Sequence, residues 1–244
     1  MTTPDDVDLD RVWTKVAAEV WRRRPGRLER TAAKLLKSPG LARALLTTPS
    51  LLLPWLIAST LVLAIGALAQ VGADQPLVGL LAPAVAAVGI AYAYGPGIDP
   101  AWELARSCAV SDRLVLLTRS VAVFAVNAML GLAATAVTLG TRAETHTAQL
   151  TFGWLLPMTA VCALTLAIAV AFRSAVAGAG AGVAAWLIVV FARGTFSAAP
   201  GTPDTGAHLA AAITDPNLYL PYLAVAACCA AVVYYATRPQ RGTQ

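Results

Sequence analysis

Apolar positions along this chain follow two patterns, which change over near Leu51. Before that point they recur at helical steps among charged residues, and after it they form long uninterrupted runs. A bilayer-spanning helix takes roughly 20 mainly apolar residues. Six runs meet that length: Leu51–Gly72, Leu77–Gly95, Leu114–Thr141, Leu150–Phe172, Ala175–Phe196 and Leu218–Thr237. The pattern predicts an all-α, polytopic membrane protein with six transmembrane helices. Arg119 near the start of the third run and Arg193 near the end of the fifth are the formal charges within these runs, both placed to snorkel toward a head-group layer.

The amino-terminal arm, residues 1–48, reads differently. Leu9, Val12, Trp13, Val16, Val20 and Trp21 recur at three- and four-residue steps, with Arg11, Lys15, Glu19, Arg22 and Arg23 on the other face. This is an amphipathic helix, and Pro25-Gly26 breaks it. A second short basic helix over Arg27–Lys37 carries Leu28, Leu35 and Leu36 and stops at Pro39-Gly40. Helices of this kind lie in the membrane interface, so Trp13, Trp21, Arg22, Arg23, Arg24 and Arg119 are the candidate interface residues. The first apolar run lies behind this long charged arm, unlike a cleavable signal peptide.

Two connections carry structure of their own. In the segment 96–113, Pro96-Gly97 closes the second run, and Asp99 with Pro100 gives a helix start signal. Glu103 and Arg106 then share one face of a short helix, and Ser111 or Asp112 caps the third span. The segment 197–217 is too long for a plain turn and predicts a small extracellular helix or a re-entrant piece. Prolines 54, 83, 157 and 221 fall within the runs, where kinks are tolerated. Gly178 and Gly182 form a Gly-x-x-x-Gly step that favours close helix packing.

Composition sharpens this reading. The chain has 244 residues, 58% hydrophobic and 13% charged, against about 25% charged in an average soluble domain. That excludes a disordered protein, a basic nucleic-acid-binding domain and an ordinary cytosolic enzyme. Ten of the 18 basic residues lie in the arm. With the amino terminus in the cytoplasm, six spans return the 238–244 tail to the same side, and sixteen basic residues lie inside. Arg142 and Arg193 are left outside. The positive-inside rule therefore sets both termini in the cytoplasm of a multi-pass cell-membrane protein. An arm of this charge beside a membrane points to anionic lipid, with no nucleic-acid partner.

The candidate chemistry is sparse. Cys108, Cys162, Cys228 and Cys229 form no C-x-x-C pair, and His146 and His208 fall in loops, so neither a zinc site nor a disulfide framework is supported. No Asp, Glu, Lys or His sits at the centre of a run, which argues against a self-energised secondary transporter or a proton pump. Lys37-Ser38 follows Leu36 instead of the glycine that a phosphate-cradling loop needs, and no G-x-S-x-G elbow occurs. The chain reads as a non-enzyme without a metal or a cofactor of its own.

The basic arm, six spans with both ends inside, the helical connection after the second span and the longer extracellular segment before the last together resemble the membrane subunit of a bacterial ABC-2 type exporter. The most specific piece runs from Asp99 through Glu103 and Arg106 to Ser111, Asp112, Arg113 and Arg119. The resemblance implies that this segment is a coupling helix docked on a cytoplasmic ATPase dimer. Asp99, Glu103, Arg106, Ser111, Asp112 and Arg113 would be its coupling residues. It also implies a second permease copy or paralogue, with ATP and Mg held by the ATPase. The alternative reading is a membrane-anchored regulatory or accessory subunit that binds a cytoplasmic partner through the arm.

Overall fold

One helix fills each of the six apolar runs in the computed structural model, which describes residues 8, 10–15, 26–37, 49–73, 77–94, 112–140, 147–197 and 215–238. The chain divides into two units, residues 1–46 and 47–244. In the first, a helical turn spans 10–15, and the Arg11 backbone N–H donates to Asp8 Oδ1 at 3.1 Å. That bond satisfies a donor which the start of a helix otherwise leaves open. Helix α1, Arg27–Leu36, follows the predicted basic helix and ends with Lys37 in the left-handed region, φ 49°.

The second unit holds α2 (Pro49–Ala73), α3 (Leu77–Ala93), α4 (Asp112–Gly140), α5 (Thr147–Phe172), α6 (Ala175–Ser197) and α7 (Tyr219–Ala236). A 3₁₀ turn, Pro216–Leu218, leads into α7. No strand occurs among the described residues. Four stretches are long and apolar enough to cross a membrane: Arg113–Val137, Thr151–Phe172, Ala175–Ala192 and Tyr219–Ala236. The apolar stretches Trp55–Ala69 and Leu77–Ala93 are shorter. At 1.5 Å per residue α3 covers about 25 Å, a little less than a hydrocarbon core of about 30 Å.

Helices α3 and α5 form the centre. α5 packs against α3, α4, α6 and α7, and α3 also meets α2, α4 and α6. Their composition explains the placement. α3 buries Ala82, Ala86, Ala87, Ala91 and Ala93, and small side chains let neighbouring backbones approach closely. Pro83 and Pro157 are accommodated inside α3 and α5. α7 rests on α5 and buries Val233 alone among its residues, so most of its apolar surface faces outward.

Bulky indoles fill the gaps between these small residues. Trp154 on α5 sits over Gly131 of α4, where an added Cβ would lie 2.7 Å from the ring, and its Nε1 donates to Thr135 Oγ1 at 3.2 Å. Trp186 on α6 is buried against Ala87 and Val161 and donates to the Leu80 carbonyl of α3 at 2.8 Å. The Gly178–Gly182 step of α6 packs on Thr165 and Ala169 of α5. The close packing expected of it is therefore made within the chain, which leaves this face unable to serve a second copy.

A single tight turn joins α5 to α6. Arg173 adopts φ 51°, and the Ser174 N–H donates back to the Ala169 carbonyl at 3.1 Å. This is the Schellman closure of a helix end. Ser174 Oγ then accepts from the Ala177 N–H at 3.2 Å and caps α6.

Candidate functional site: a polar stripe on α4 and an arginine–tyrosine cluster at its first turn

Helix α4 begins at Asp112, within the 96–113 segment expected to couple to a partner. Leu116, Ser120, Val123, Asn127, Gly131 and Thr135 recur along it at steps of three and four and are all buried. They form the face that packs against α2, α3 and α5. Three of the six are polar, in a bundle that is otherwise almost wholly apolar.

Thr135 is fully engaged: its Oγ1 donates to the Gly131 carbonyl at 2.8 Å and accepts the Trp154 indole N–H. Asn127, 1% exposed, turns its Nδ2 to the Val123 carbonyl of its own helix at 3.0 Å. Its Oδ1 has no hydrogen-bond partner among the described residues, and neither has Ser120 Oγ. A buried polar atom left in this state costs about 1–3 kcal/mol. Arg119 lies beside Ser120 and is 7% exposed. A guanidinium inside an apolar bundle is a costly placement.

Arg119, expected to snorkel toward a head-group layer, is buried against the protein. Its Cα sits on the flank of the inward face, and the helix phase set by Leu116, Val123 and Asn127 carries the side chain into the protein.

The second feature joins the first turn of α4 to the last turn of α7. The Arg113 guanidinium lies over the Tyr234 ring, 4.2 Å from its centroid. Arg238 lies 4.8 Å from the same ring and 4.9 Å from the Tyr235 ring, and its Nη2 donates to Tyr234 Oη at 3.2 Å. The two tyrosines meet edge to face, with centroids 5.6 Å apart. Cation–π contacts of this geometry contribute about 0.5–1 kcal/mol each at exposed sites. They tie together two helices that otherwise meet little.

Of the residues expected to couple to a partner, Arg113 stands in this cluster and Asp112 opens α4. Asp99, Glu103, Arg106 and Ser111 lie outside the described residues. Of the interface candidates, Trp13 is described and is 72% exposed, beside the exposed Val12. Trp21, Arg22, Arg23 and Arg24 lie outside the described residues, as do His146, His208 and Cys108. Cys162, Cys228 and Cys229 are free thiols. No group of metal-ligating side chains occurs among the described residues.

Ser120, Asn127 and Thr135 are absent from the residues expected on sequence grounds, which within the runs rest on charged side chains and histidine alone. The available signal was the recurrence of neutral polar residues seven and eight apart within one apolar run. No family model, curated protein or solved structure matches the chain.

Proposed function

We propose that this chain is the transmembrane subunit of an ABC-2 type exporter, driven by a separate cytoplasmic ATPase dimer that holds ATP and Mg. The observation that carries the reading is the buried polar stripe of α4, the helix that opens within the 96–113 segment. Polar groups buried inside a membrane bundle are costly, and a path for substrate or water is one use that offsets the cost. An alternating-access cycle would hydrate Ser120, Asn127 and Arg119 when the bundle opens along this face.

In this reading α2 and α3 span the membrane with the four longer stretches, α3 through modest local thinning of the bilayer. Arg113 lies in the first turn of α4, Arg173 in the α5–α6 turn and Arg238 just past the end of α7. By the positive-inside rule that end faces the cytoplasm of a cell membrane, with the basic arm and both termini. Residues 99–113 form the coupling segment, which runs into the first residues of α4 and in which Glu103 and Arg106 meet charges on the ATPase. A second copy or a paralogue completes the path.

The test is co-purification with a tagged ATPase from a neighbouring gene, followed by ATP hydrolysis in nanodiscs. The wild-type chain is expected to retain the ATPase, and Glu103→Arg to lose it or uncouple hydrolysis while still inserting in the membrane. If a Glu103→Arg, Arg106→Glu series leaves assembly and hydrolysis unchanged, the coupling assignment fails.

A second reading, a membrane-anchored accessory subunit, is favoured by the arm being a unit of its own with Val12 and Trp13 exposed. Deleting residues 1–48 separates the two. An accessory subunit loses its cytoplasmic partner on deletion, and an exporter subunit keeps the ATPase bound through residues 99–113.

A further inference from the structure

The arginine–tyrosine cluster has a chemistry that its structural role does not use up. Arg113 and Arg238 share one tyrosine ring, which holds two positive charges within about one Debye length, roughly 8–10 Å at physiological salt. Neither forms an ion pair with a carboxylate among the described residues. Each guanidinium has five N–H donors, and Arg238 commits one of them to Tyr234 Oη. Stacking on an aromatic face leaves the donor edge of a guanidinium available for a second, bidentate partner, and phosphate is the group that fork fits.

The surroundings supply the other half of a ligand. Tyr234 and Tyr235 are 43% and 65% exposed, and the cluster sits at the ends of two apolar helices, where aromatic rings mark head-group depth. From there toward the bilayer centre the surface is apolar and uncovered: Leu114 and Val121 on α4, Val232 and Val225 on α7. A phosphate placed at the arginines therefore has hydrocarbon-compatible surface on one side and water on the other.

We propose that Arg113, Tyr234 and Arg238 form a binding site for the head group of an anionic phospholipid, with its acyl chains lying along α7 and the first turns of α4. Such a lipid bridges α4 and α7, two helices that meet little otherwise among the described residues, and so it adds to the hold that α5 already has on α7. The site needs membrane insertion alone and stands independently of the exporter reading. Free phosphate is the less favoured source of the same chemistry. It brings no apolar chains, and two partly hydrated arginines compete poorly with water for it.

The experiment uses the full chain in detergent, offered equal amounts of phosphatidylglycerol and phosphatidylcholine with matched acyl chains, with bound lipid read by native mass spectrometry. The wild-type chain is expected to retain phosphatidylglycerol preferentially. Each arginine near an anionic surface contributes about fivefold, so the Arg113→Gln/Arg238→Gln pair is expected to lose roughly 30-fold of that preference. Arg173→Gln removes a charge at the same end but outside the cluster and is expected to keep the preference. Millimolar inorganic phosphate is expected not to displace the lipid.

A photo-crosslinking phosphatidylglycerol, offered to the wild-type chain, gives a readout that does not depend on any variant folding. Its adducts are expected on peptides containing residue 113 or residues 232–238. Equal retention of the two lipids by the wild-type chain, an unchanged preference in the glutamine pair, displacement by phosphate, or adducts mapping elsewhere would each overturn the proposal.

Discussion

The Thr165 hydroxyl occupies the space where residue 182 would carry a side chain. A Cβ built on Gly182 collides with Thr165 Oγ1, and it would meet Ala87 Cβ at 3.2 Å. Helices α3, α5 and α6 converge at this point, which sets how closely all three pack. Gly182→Ala is expected to destabilise the bundle by about 1–3 kcal/mol through overpacking. Thr165→Ala removes the obstructing oxygen, so the double variant is expected to recover most of that loss. Thermal unfolding of the single and double variants in detergent measures the coupling. Additive effects would show that the two positions do not share this space.

Trp154 makes a comparable lock between α4 and α5. Its indole N–H is buried, and Thr135 Oγ1 accepts from it at 3.2 Å. Thr135→Val keeps the shape and removes the acceptor. The orphaned N–H is expected to cost about 1–3 kcal/mol. Thr135→Ser retains the hydroxyl and is expected to lie close to the wild type. Equal melting temperatures for the valine and serine variants would show that the hydrogen bond contributes nothing.

How much of this was legible in the sequence depends on what kind of signal each feature leaves. The helix limits were well marked: α5 ends at Phe172 and α6 starts at Ala175, both as expected from the runs. There a charged residue and a serine interrupt the apolar sequence, and they also supply the turn and the cap. The packing faces were not marked. α5 is apolar on every side, so hydrophobic periodicity cannot separate its α3 face from its α7 face. Complementary size does separate them, as where Gly131 admits Trp154, but that is a relation between distant positions. The burial of Arg119 was unmarked for the same reason. Its depth in the run was readable, but the direction of its side chain depends on which face of α4 turns inward.

The α5–α6 turn yields a prediction that needs no assumption about function. Arg173 holds a left-handed backbone conformation, φ 51°, which for a residue with a Cβ costs roughly 1–2 kcal/mol. Glycine adopts it freely. Arg173→Gly is expected to raise the melting temperature by about 2–4 °C. Arg173→Val, which tolerates the conformation least, is expected to lower it. The reverse order of the two variants would show that the turn is not closed through Ala169 and Ser174 as described.

Asn127 separates the cost of a polar stripe from its use. Among the described residues its buried Oδ1 has no hydrogen-bond partner and its Nδ2 returns to its own helix, so the amide makes no hydrogen bond to a neighbouring helix there. Leucine branches at the same carbon and carries no polar atom. Removing an unsatisfied buried group recovers about 1–3 kcal/mol, against a similar or smaller overpacking term for the larger side chain. Asn127→Leu is therefore expected to leave thermal stability unchanged or raise it by a few degrees. If the stripe lines a path that opens to water, the same substitution removes a hydrated group from the open state alone. It should then lower the ATP-driven turnover of the reconstituted pair while leaving assembly with the ATPase intact. Asn127→Gln restores an amide one methylene away and is expected to recover part of that turnover. A leucine variant with normal turnover would remove α4 from the path. A leucine variant that unfolds would show instead that Asn127 holds the bundle together.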